Sequence, residues 1–142
     1  MRTLKFILAT LAMLLPAALF AQEEPQGPLT PEEEEKQFYE AIETQLEKYT
    51  ETLDLADWQI FYLDSILVAD FKGMRDELKM LGESKVSNAD LYVMVQDKWS
   101  ENSFNAINKI LNEQQWNKYL KMGAARNKKA RDKRAQKREG KK

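Results

Sequence analysis

Large apolar residues recur along this chain at intervals of three and four, and nowhere does an alternating, strand-like pattern persist. That one feature restricts the chain to helices that each bury one stripe. The first helix is predicted from Pro31 to about Thr50, with Phe38, Ala41, Ile42, Leu46 and Tyr49 on its buried side. Thr30 serves as its N-cap, Pro31 fits the first helical position and Glu33 closes a capping box. The second begins near Leu55, capped by Asp54. It carries Ile60, Leu63, Leu67, Phe71, Met74, Leu78 and Leu81 to an end marked by Gly82. Spanning Leu55–Leu81, it would be about 40 Å long. Ser87 or Asn88 starts a third helix, with Leu91, Val95, Trp99, Ala106 and Ile110 near one face and a polar gap at 100–103. Asn112 starts a fourth, with Gln115 completing a second capping box. The expectation is an all-α protein of four helices with a long central antiparallel hairpin.

The two ends differ from this body. Arg2 and Lys5 precede an apolar run, Phe6–Phe20, which gives way to a polar stretch after Ala21. The run is short for a membrane span and has the layout of an export signal. Cleavage is expected after Ala21, so residues 1–21 are read as a signal peptide and 22–30, with three prolines, as an extended leader. Residues 31–122 form the helical domain. Beyond Met122 the only apolar residues are alanines, so 123–142 is expected to be a fraying, solvated, partly helical tail.

Charge separates sharply along the chain. From Gln22 to Asn117 there are 8 basic and 21 acidic residues, whereas Lys118–Lys142 holds 12 basic and 2 acidic ones. Such asymmetry implies an interacting tail or attraction between the halves. With no histidine and no cysteine, the chain lacks a His-based acid–base pair, a thiol nucleophile and the usual zinc ligands. Its five glycines form no phosphate-cradling loop. No enzymatic activity, catalytic residue, cofactor or metal is expected.

Two segments share a spacing. Leu55-Ala56-Asp57-Trp58-Gln59 and Leu111-Asn112-Glu113-Gln114-Gln115 each place glutamine four residues after leucine at a helix entrance. Leucine before the cap packs against the helix it introduces, and glutamine at the third helical position returns a hydrogen bond to the cap backbone. Asn112 is a good cap, but Ala56 stands where a capping side chain is wanted, so either Asp54 substitutes or the helix start shifts. The pair resembles the LTxxQ motif that occurs twice in the periplasmic Spy/CpxP-like family, over roughly Thr52–Met122. The motif residues are Leu55, Gln59, Leu111, Asn112 and Gln115. The resemblance implies a periplasmic, cradle-like antiparallel homodimer that binds unfolded or envelope proteins without ATP, or reports envelope stress to a sensor kinase. Metal-responsive members of that family tend to rely on histidine, so metal sensing is discounted here.

Two functions compete. In the first, a chaperone or stress adaptor captures clients through apolar patches and charge, with Trp58, Tyr62, Trp99, Phe104 and Trp116 as candidate client or dimer contacts; each also suits a core. In the second, a structural or tethering protein grips an anionic membrane, lipopolysaccharide or cell-wall surface through Arg126, Lys128, Lys129, Arg131, Lys133, Arg134, Lys137 and Arg138, which also suit a solubilising tail. Nucleic acid is not an expected partner of an exported chain.

Overall fold

The computed structural model describes residues 27–141, so the expected signal peptide and most of the leader lie outside the described residues. Among the described residues the chain is all-helical, without a strand. It comprises α1 (Pro31–Leu53), α2 (Asp57–Glu83), α3 (Ala89–Ile110), α4 (Glu113–Tyr119) and α5 (Ala125–Glu139), the last two joined through a π-helical segment at Leu120–Ala124. None of these helices is long and apolar enough to cross a membrane. Thr30 caps α1 as its sequence indicates: its hydroxyl accepts the Glu33 N–H at 3.3 Å, and the Glu33 carboxylate accepts the Thr30 N–H at 2.8 Å. Gln37 opens the unit that contains everything described below.

The ends of α1 and α2 depart from the expected caps. α1 continues three residues past Thr50, and Asp54 does not cap α2. Instead Asp54 takes the left-handed conformation, φ 51°, just past the end of α1, while the Leu55 N–H reaches back to the Thr50 carbonyl at 3.2 Å. This is a Schellman closure, and aspartate tolerates the left-handed region better than most residues. Ala56 is the N-cap of α2 and offers no side-chain acceptor. The end of α2 is similar. Gly82 stays inside the helix, and Lys85, φ 54°, takes the left-handed position while the Val86 N–H bonds the Leu81 carbonyl. Asn88 caps α3 through its side chain, which accepts the Asp90 N–H at 3.0 Å.

The core gathers Ile42 and Leu53 of α1, Leu55, Leu63 and Leu67 of α2, Ile107 of α3 and Tyr119 of α4. Around it Tyr49, Phe104, Trp116 and Tyr119 make a run of edge-on and stacked ring contacts with centroids 4.9–6.3 Å apart. α2 and α3 face one another over much of their length. Glu77 meets Lys98 and Trp99, and Asp70 meets Asn102 and Ser103. Gly73 lets the Trp99 ring lie directly on α2: a methyl group added there would come within 2.3–2.7 Å of three ring carbons.

Candidate functional site

The two matched entrances meet. Each glutamine first serves its own helix: Gln59 Oε1 accepts the Ala56 N–H at 3.0 Å, and Gln115 Oε1 accepts the Asn112 N–H at 3.0 Å. Asn112 completes its box, because its side-chain oxygen accepts the Gln115 N–H at 2.9 Å. At Ala56 only half of the box exists. The two side chains then bind one another. Gln59 Nε2 donates to Gln115 Oε1 at 2.7 Å, and Gln115 Nε2 donates to Gln59 Oε1 at 3.0 Å. Their remaining protons go to the carbonyls just before the opposite leucine: Gln59 to Ile110 at 2.8 Å, Gln115 to Asp54 at 3.4 Å. Both side chains are buried, and every hydrogen-bonding position on the two amides is occupied. The arrangement is a nearly symmetric clasp that ties the start of α2 to the start of α4 across 56 residues. The spacing of the motifs reveals each glutamine's local role; only the fold reveals that the two roles interlock.

Beside Gln59 on α2 stands an aromatic ledge. Trp58, Phe61 and Tyr62 are 56%, 67% and 52% exposed, and Tyr62 meets both Trp58 and Phe61 edge-on, with centroids 6.3 and 5.5 Å away. Such side chains gathered on one helix face form an exposed apolar surface of the kind that marks interaction sites. Asp57 and Asp64 flank them and are themselves exposed. Met80 near the end of α2 and Met94 near the start of α3, both off the apolar stripes, are also exposed, and so is Leu91, which its spacing places on the buried face. Of the five candidate contacts, only Trp58 and Tyr62 face solvent. Phe104 and Trp116 pack against the core, while Trp99 lies half-buried on Gly73 with its indole N–H donated to Glu77 at 2.8 Å.

The basic tail is neither frayed nor fully solvated. α5 lies against α3 through ion pairs and replaces the polar gap's missing apolar contacts with charge. Arg134 forks onto Asp97 at 2.6 and 2.9 Å, Arg138 adds longer contacts, and Arg131 holds Glu101 at 3.1 and 3.2 Å. Lys128 joins Glu101 at 3.2 Å. Arg131 is only 8% exposed and lies 5.5 Å from the centre of the Phe104 ring. The hydrogen bonds from Arg134 hold the Asp97 carboxyl below its ordinary range. The opposite face of α5 presents Arg126, Lys129, Lys133 and Lys137 to solvent. Among the described residues none of these four has a carboxylate partner.

The kink that brings α5 down is Gly123, whose φ is 106°. Beneath α5 lies a cavity of about 170 Å³ whose walls include Phe71, Met74, Trp99 and Tyr119, together with Asp70 and Arg131. Asp70 is 6% exposed and accepts hydrogen bonds from Asn102 at 2.7 Å and Ser103 at 2.8 Å. No signal in the sequence distinguishes Asp70 from the chain's other acidic residues. No family model, no curated protein and no solved structure matches this chain.

Proposed function

We propose that this chain is an exported binding protein of the Spy/CpxP type, an ATP-independent chaperone or stress adaptor that captures unfolded envelope proteins without catalysis. The observation that carries the reading is the aromatic ledge, Trp58, Phe61 and Tyr62, more than half exposed and flanked by aspartates. Rigid aromatic side chains bind apolar segments at low entropic cost, and the acidic surround speeds encounter with cationic stretches over a Debye length of about 8 Å. The glutamine clasp supports the same reading, since it gives both motif copies one shared structural task. In this reading α2 and α3 form the long antiparallel hairpin, and two copies pair into a cradle.

Anchoring to an anionic surface ranks second. Arg131, Arg134, Arg138 and Lys128 are engaged with α3, which leaves the outward stripe to grip at about 1 kcal/mol per cation.

The test is suppression of aggregation of a chemically denatured client by the mature chain, measured by light scattering. Trp58→Ala with Phe61→Ala and Tyr62→Ala is expected to abolish protection while leaving the helical circular dichroism intact. No protection by the parent chain at several-fold molar excess would remove the proposal.

A further inference from the structure

We propose that the cleft beneath α5 is a docking site for a cationic segment bearing one large apolar side chain, and that α5 is its resident, imperfect occupant. The inference deepens the client-binding reading and rests on it.

Its basis is what α5 supplies and what it lacks. α5 contains no apolar residue larger than alanine. Its attachment to α3 is made by Arg131, Arg134, Arg138 and Lys128 on two carboxylates, Asp97 and Glu101, one helical turn apart. The charges of the cleft are therefore answered, but its apolar floor is not. A cavity of about 170 Å³ remains between α5 and Phe71, Met74, Trp99 and Tyr119, and α5 sends into it only Asn127 and the Arg131 side chain. A space of about 150 Å³ suffices for a benzene-sized group. A segment with the same cationic spacing and a leucine or phenylalanine in place of Asn127 would meet both demands. Charge complementarity thus fixes the partner's chemistry: basic and apolar, not acidic.

The means of exchange is also present. Gly123 alone bends the rod between α4 and α5, in a conformation that L side chains rarely adopt. Returning Gly123 to helical angles would make α4 and α5 one continuous helix and carry the arginines away from Asp97 and Glu101. Bent and straight are then two states of one element, separated by the ion pairs of four cations, of which only Arg131 is buried, and by one glycine.

The probe is a fluorescently labelled 15-residue peptide with the α5 sequence, 125–139, carrying Asn127→Leu. It is titrated by anisotropy with the full chain in three forms: unaltered, Arg134→Glu/Arg138→Glu, and Gly123→Ala. Nothing lies within 4 Å of a methyl group added at Gly123, so that variant opposes the bend without a clash. Both released forms are expected to bind the peptide at least about tenfold more tightly than the unaltered chain. Adding Asp97→Asn/Glu101→Gln to the Gly123→Ala form is expected to remove that gain. Should one released form fail to fold, the other decides. Equal affinity for the released and unaltered forms would overturn the proposal, as would binding that survives loss of the two carboxylates. Since no denatured client is used, the outcome is separable from that of the aggregation test. A chain that protects clients yet shows no such gain loses this proposal alone.

Discussion

The Gln115 side-chain amide answers three demands at once: its own helix start, the facing glutamine, and the carbonyl of Asp54 at the end of α1. A capping box accepts glutamate as readily as glutamine, because only an acceptor oxygen is needed. The clasp does not, because Nε2 must donate to two acceptors. Gln115→Glu therefore separates the local role from the long-range one. Glutamate would leave the Gln59 oxygen without its donor and set a buried carboxylate oxygen against it, a loss expected to cost about 3 kcal/mol. The check is urea unfolding at neutral pH; a loss below about 0.5 kcal/mol would mean that capping alone explains the glutamine. The sequence makes both glutamines visible as cap partners through their fourfold offset from leucine. Their mutual contact is invisible there, since it depends on how the ends of α1 and α3 deliver Asp54 and Ile110 to the same place. Asp54 illustrates the same limit. Its residue type suits an N-cap and equally a left-handed C-terminal position, and the choice falls to the Schellman closure that Leu55 completes.

Among the elements, the α2–α3 pair shows how much a periodic stripe can and cannot tell. Leu63, Leu67 and Val95 are buried as their spacing indicates. Gly73 in the same stripe reads as a weakness of about 1 kcal/mol relative to alanine, and in an isolated helix it would be one. In the structure it makes room for Trp99, so Gly73→Ala is expected to lower stability by about 1–3 kcal/mol despite the better helix former. The same variant should shift the Trp99 emission to longer wavelength, as the ring is lifted from α2 and its bond to Glu77 is lost. Denaturant unfolding followed by fluorescence reads both effects, and unchanged stability would mean that α2 and α3 move apart without penalty. The polar gap at 100–103 was equally legible as a gap, but its purpose was not. Glu101 receives α5, while Asn102 and Ser103 satisfy the buried Asp70. A polar run on a helix shows only that apolar burial fails there; what replaces it is set by a partner far along the chain.

At the scale of the whole molecule, the division of charge becomes an internal attachment: an acidic body draws in a basic helix that has almost nothing apolar to bury. Apolar patterning alone therefore leads to a solvated tail, whereas the opposite charge of the two segments points toward their contact. Attachment of this kind depends on the medium in a way that the core does not. Among the described residues the carboxylate of Asp97, 14% exposed, faces only Arg134 and Arg138 as ionised partners, and the hydrogen bonds from Arg134 lower its pKa in the folded chain. A carboxylate with a depressed folded pKa contributes its full stabilisation above its unfolded value. That contribution fades as pH falls through the folded value. With an ordinary aspartate value of 3.8, release of α5 is expected only below about pH 4, and docking should be constant from there to neutrality. Amide exchange, corrected for intrinsic rates, should show residues 125–139 losing protection on acidification before the segments around Leu63 and Ile107 do. In Asp97→Asn the α5 amides should start less protected and respond more weakly to acid. Protection of α5 that persisted unchanged to pH 2.5 in the parent chain would mean that something other than these ion pairs holds the helix down.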